Sequence, residues 1–155
     1  MTPHGPVLQL RVVVEAADFE QALAFYRDAL GLPEQAAFEG TGDARVVILD
    51  AGRATLELAN PAQRRMIDAV EVGRDVSPPI RLAFEVTDAT AATAALAAAG
   101  ATVIAEPVET PWRSRNARLA GPAGLQLTLF EELESPVGRA TRDGFATAAD
   151  REGDD

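Results

Sequence analysis

The segment Arg11-Val-Val-Val-Glu15-Ala-Ala-Asp18 returns as Arg81-Leu-Ala-Phe-Glu85-Val-Thr-Asp88, with Arg, Glu and Asp each displaced by 70 positions. An alanine-rich helical pattern follows both copies. Repetition of a whole strand–helix unit implies two similar modules built around a shared site. It also singles out Arg11 and Arg81, which open the two copies.

The rest of the chain fits the same script. Residues 7–15 alternate and are rich in Val, as a half-buried strand does. Asp18 is placed to cap a helix, Phe19, Ala22, Leu23, Phe25, Tyr26 and Leu30 recur at helical spacing, and Gly31 ends it. Residues 33–42 read as a loop or short strand. Residues 44–50 and 54–59 read as strands joined by a hairpin-like turn at Ala51-Gly52-Arg53, and Asn60-Pro61 as a break in the sheet. Residues 61–79 form a connector with a short helix near 63–72, whose Met66, Ile67, Val70 and Val72 make it a candidate lid; Pro78-Pro79 stops it. In the second copy, 80–86 is a strand, 89–99 a helix capped by Asp88, and 102–105 a short strand. A loop at 106–113 carries Pro and Trp112, and strands at 114–119 and 125–130 flank a Gly121-Pro-Ala-Gly124 turn. The resulting organisation is one domain over 1–132, with module one at about 7–60, the connector at 61–79 and module two at about 80–131. An acidic, flexible tail is expected at 133–155.

Composition narrows the chemistry. There is no cysteine, so disulfides, thiolate catalysis and cysteine-based metal sites are excluded. The net charge of −10 opposes nucleic-acid binding. Half of that charge sits in residues 131–155, where eight acidic residues face three arginines, so the folded part tolerates a basic pocket. No apolar run approaches a membrane span and the N-terminus lacks a signal region, which makes the cytoplasm the expected compartment. No Gly-rich phosphate loop or nucleophile elbow is present, and the sole histidine, His4, lies outside the repeat.

The segment Phe25-Tyr-Arg-Asp-Ala-Leu-Gly31-Leu, the helix 91–100 and the stretch Leu119-Ala-Gly-Pro-Ala-Gly-Leu-Gln-Leu-Thr-Leu-Phe-Glu131 together resemble the vicinal oxygen chelate superfamily. That superfamily includes glyoxalase I, bleomycin-resistance proteins and extradiol dioxygenases, and the resemblance spans roughly residues 7–131. It implies an α+β fold of two tandem βαβββ modules whose curled mixed sheets surround a cavity, and a homodimer. It also implies a divalent metal held by one residue from the first strand and one from the last strand of each module. Those positions here hold Arg11, Arg81, Glu57 and Thr128. Guanidinium has no lone pair to offer and repels a cation, so only Glu57 remains a good ligand and no metal or other cofactor is expected.

Strand alternation supports one shared surface for these residues. Arg81, Ala83 and Glu85 oppose Leu82, Phe84 and Val86, and Gln126, Thr128 and Phe130 oppose Leu125, Leu127 and Leu129. The expected ligand-binding set is therefore Arg11, Glu57, Arg81, Gln126 and Thr128, with Trp112 available to stack on a planar group. Two readings of the arginines stand side by side. They pair with Glu57 in a structural salt bridge, or they receive an anionic or carbonyl-bearing ligand through bidentate contacts. The resulting expectation is a metal-free small-molecule-binding protein, one that sequesters an antibiotic or similar compound, rather than an enzyme. The alternative is a lyase, isomerase or dioxygenase acting on a small carbonyl compound, with Glu57 as the candidate base and a divalent metal as its cofactor.

Overall fold

The structure, a computed structural model, describes residues 11–12, 14–55, 57 and 59–135. Helix α1 begins where the Asp18 carboxylate accepts the Gln21 N–H at 3.0 Å. It runs Phe19–Ala22 and continues with a π-helical turn over Leu23–Ala29, in which the Leu30 N–H reaches the Phe25 carbonyl at 2.8 Å. Gly31 closes the helix at φ +84°, a conformation that costs glycine nothing. An antiparallel hairpin follows, β1 (Glu34–Glu39) against β2 (Arg45–Leu49). Helix α2 (Pro61–Glu71) then leads to the second module. That module comprises β3 (Leu82–Glu85), α3 (Ala89–Ala98), β4 (Thr102–Glu109), β5 (Ser114–Ala120) and β6 (Gln126–Glu132). Its sheet has the order β3-β6-β5-β4, with β3 parallel to β6 and the other pairs antiparallel.

The fold is α+β with two sheets that do not close into a barrel. The second module is strand, helix and three strands, as its sequence pattern requires. The first module differs from expectation. Residues 7–10, 13, 56 and 58 lie outside the described residues, and the described parts of 7–15 and 54–59 belong to no strand. Instead β2 finds its ladder partner in the stretch read as a loop or short strand. Glu34-Gln-Ala-Ala-Phe-Glu39 has little β-propensity of its own, but Val46, Val47 and Ile48 opposite supply a β-branched partner. Asn60-Pro61 does not simply break a sheet. Asn60 Oδ1 accepts the Gln63 N–H at 2.9 Å and Pro61 occupies the first helical position, so the pair starts α2. Half of the expected loop at 106–113, the stretch 106–109, is strand. β4 is the sheet's edge, where Pro107 forfeits no ladder bond, and register shifts between Val103/Ala105 and Ala105/Val108 absorb it.

One core serves both modules. Phe25 and Tyr26 from α1 join Leu96 of α3 against Ala117, Leu119, Leu127 and Leu129 on one face of the large sheet. Each large aliphatic side chain buried there contributes about 1.5–3 kcal/mol. The Tyr26 hydroxyl donates to the Pro122 carbonyl at 2.8 Å, which ties the first module's helix to the second module's final turn. Burial pushes the phenol up to about 12, so it stays neutral. No helix among the described residues is long and apolar enough to cross a membrane.

Candidate functional site

The opposite face of the large sheet is polar. Side chains alternate across a strand, so packing Ala117 and Leu119 into the core turns Ser114, Asn116 and Arg118 of β5 the other way. Arg118 pairs with Thr128 across the ladder, and Ala120 pairs with Gln126. Ser114, Asn116, Arg118 and Thr128 are all buried. Helix α2 packs against β4 and β5 and brings Asp68 and Glu71 to Arg118.

Arg118 is the centre of this arrangement, with a fully buried side chain. Its Nη1 donates to Asp68 Oδ1 at 3.0 Å, to Ser77 Oγ at 2.9 Å and to Gln126 Oε1 at 2.8 Å. Its Nη2 donates to Glu71 Oε1 at 3.3 Å, while Nε has no partner among the described residues. Asp68 also accepts the N–H groups of Val76 and Ser77 at 2.9 and 2.8 Å and the Ser77 hydroxyl at 2.5 Å. Burial alone would raise its pKa. The Ser77 hydroxyl, the two backbone N–H groups and Arg118 outweigh that and hold the carboxyl well below its ordinary range.

Arg81 lies beside this cluster. Its Nη1 donates to Thr128 Oγ1 at 2.7 Å, and no carboxylate among the described residues comes within 4.0 Å of it. Its pKa is lowered, first by burial and then by Arg118; Glu71, Glu57 and Asp68 act against that from a distance. The guanidinium is therefore charged, half-buried and poorly compensated locally.

The structure brings together part of the expected set. Arg81 and Thr128 touch, and Gln126 stands next to them. Gln126 is already engaged, however, accepting from Arg118 and donating to the Val76 carbonyl at 3.0 Å. Glu57 is exposed and is felt by Arg81 only through space, so a contact salt bridge between them does not form. Arg11 is exposed and in no strand. Trp112 is half-buried at the β4–β5 hairpin tip, beyond the Ser114–Glu132 pair, and about 13 Å of strand separates that pair from Thr128. The tip is strained: Arg113, in the position after Trp112, has φ +60°, where glycine is the usual residue.

Arg118, Asp68, Glu71 and Ser77 were not among the sequence candidates. The alternation of Ser114, Asn116 and Arg118 against Ala117 and Leu119 was a readable signal for the first. Asp68 and Glu71 share a helix flank with Ile67, but only the docking of α2 shows that this flank is buried. A separate surface hollow of about 790 Å³ includes Asp18, Phe19, Glu20, Asp43 and Arg45 in its lining and contains none of the expected site residues. Arg45 there pairs with Glu20 and stacks on Phe19 at 4.7 Å.

The α+β fold is consistent with the vicinal oxygen chelate superfamily. The family model of a glyoxalase-like domain matches residues 11–130, and the chain belongs to that family. Among solved structures it is similar to a glyoxalase/bleomycin resistance protein/dioxygenase superfamily member from Sphaerobacter thermophilus. The two are 23% identical, the match covers 77% of this chain and 92% of the other, and the TM-score is 0.51. A hypothetical protein from S. aureus is 16% identical, with coverage of 82% and 95% and a TM-score of 0.55. A glyoxalase-related enzyme from Fulvimarina pelagi is also 16% identical, with coverage of 81% and 89% and a TM-score of 0.50. A comparison with curated proteins finds no match.

The superfamily's divalent metal can be tested against these side chains. Arg81 is the residue that the family resemblance sets at a donor position, and its Nη1–H already occupies the Thr128 hydroxyl oxygen. Among the described residues no group of three or more His, Cys, Asp or Glu side chains is placed to hold an ion. The residues present do not fit a cation at this position, and no step through one is derived.

Proposed function

We propose that this chain is a binding protein for a small anionic or carbonyl-bearing molecule, which it holds at Arg81 without a metal ion. The observation that carries this reading is the state of Arg81. It is half-buried, aimed by Thr128 at 2.7 Å, and without a carboxylate partner in contact among the described residues. A guanidinium in that state gains more from an oxygen ligand than an exposed or paired one does. Catalysis has less support, since Glu57 is exposed and no base among the described residues touches the Arg81 donors. Sequestration of a compound, rather than its conversion, is the function that follows, and the working form is taken to be a homodimer.

Titration calorimetry with a panel of small carboxylates and ketones, on the wild type and Arg81→Met, tests the reading. Binding should be lost in the variant while the urea unfolding midpoint is kept. Equal affinity in both proteins overturns the assignment to Arg81. Elemental analysis of the purified protein should find no stoichiometric Zn, Ni, Fe or Mn; one metal equivalent per chain overturns the metal-free part.

A further inference from the structure

The charges around Arg81 limit what its ligand can carry. Arg118 is a second guanidinium on this face of the sheet, across the ladder from Thr128, and could in principle double the positive charge offered to a ligand. It does not, because Asp68 at 3.0 Å and Glu71 at 3.3 Å already take it. Arg64 on α2 is occupied as well, paired with Asp75 and 3.6 Å from Asp68. Those two arginines thus face three carboxylates, a local surplus of one negative charge. Glu57 adds another carboxylate near enough for Arg81 to feel. The one guanidinium on this face with no carboxylate in contact, among the described residues, is Arg81 itself.

We infer that the site selects a monoanion of the carboxylate class, bound by Arg81 alone. This rests on the reading of Arg81 as the ligand-binding residue and narrows it. Thr128 takes an Nη1–H, and among the described residues no other acceptor takes a hydrogen bond from the guanidinium. The remaining edge presents two parallel N–H donors, the geometry that a carboxylate's two oxygens match. One negative charge is neutralised there. A second would find no other guanidinium free of carboxylate contact among the described residues of this face, where Glu71, Glu57 and Asp68 already act on Arg81, so a dianion gains nothing over a monoanion. A neutral amide or ketone keeps one hydrogen bond but leaves the half-buried charge uncompensated.

Matched probes decide the point: benzoate, benzamide, and phenylphosphonate at a pH where it is a dianion, with pyruvate as a second, smaller carboxylate. Calorimetry should show one carboxylate per chain, with benzamide at least tenfold weaker than benzoate and phenylphosphonate no tighter than benzoate. Arg81→Met should abolish carboxylate binding. Thr128→Val, which removes only the group that aims the guanidinium, should weaken it and serves if the first variant does not fold. Benzamide binding as well as benzoate, with both lost in Arg81→Met, would overturn the charge selection and leave the binding site standing. Phenylphosphonate binding tenfold tighter would show a second available cation and overturn the monoanion rule. If neither carboxylate nor benzamide binds, both the inference and the function it rests on are wrong.

Discussion

Replacing Arg118 with leucine would leave two buried carboxylates facing a space that no longer holds a cation. The Arg118 and Asp68 side chains are 0% and 1% exposed and Glu71 is 2% exposed, so water offers little relief. Breaking a buried pair by removing one partner costs about 3–5 kcal/mol, because the other charge stays desolvated. Two features decide where in that range the loss falls. Asp68 keeps three other donors, the N–H groups of Val76 and Ser77 and the Ser77 hydroxyl. Glu71 has no other hydrogen bond among the described residues. The penalty therefore concentrates on Glu71 and on α2, which carries both acids and buries one large apolar side chain, Ile67. Urea denaturation followed by far-UV circular dichroism should register about 3 kcal/mol of destabilisation, at the lower end of the buried-pair range. Amide exchange should accelerate most across 61–71. Arg118→Lys should lose less, about 1–3 kcal/mol, since one ammonium can serve the three acceptors of Nη1 but not Glu71 as well. A loss below about 1 kcal/mol in Arg118→Leu, with α2 protection unchanged, would refute the claim that this cluster fastens the helix to the sheet.

Three further outcomes follow from the structure. Because the fold depresses Asp68 below its ordinary 3.8, its contribution is complete above that pH and is lost as pH falls through the lower folded value. Asp68→Asn should flatten the acid limb of a stability–pH curve. Tyr26 has the opposite sign: raised from 10.0 to about 12, it contributes fully below pH 10.0 and loses that contribution as pH rises through the folded value. Tyr26→Phe should remove this alkaline loss and cost about 0.5–1.5 kcal/mol at neutral pH through the missing bond to Pro122. Gly121→Ala would place a methyl group 2.9 Å from Tyr26 Oη and 3.1 Å from Leu127 Cδ1. It should lower stability by about 1–3 kcal/mol in thermal unfolding, because both neighbours belong to the packed core.

The second module was legible because its signals are local. Alternation along 125–130 placed the leucines of β6 in the core, 114–119 was read as a strand, and Asp88 was read as the cap of α3, as found. The first module was less so. The hairpin β1–β2 depends on a partner strand to hold Glu34–Glu39 extended, and pairing across a sheet is not written in either strand alone. Asn60-Pro61 carries turn and helix-start signals at once, and only the docked α2 resolves which is used.

The sequence by itself determined the repeat and the family resemblance, and it set the expectation that Arg11 and Arg81 stand at metal-donor positions, since residue type decides whether a lone pair exists. Only the tertiary structure decided which cations remain available. Arg118 and Arg81 look alike in the chain. The first is neutralised by two acids brought from α2 some fifty residues earlier, and the second meets a threonine and no contacting acid among the described residues. Charge compensation depends on distance in space and on burial, and a sequence records neither.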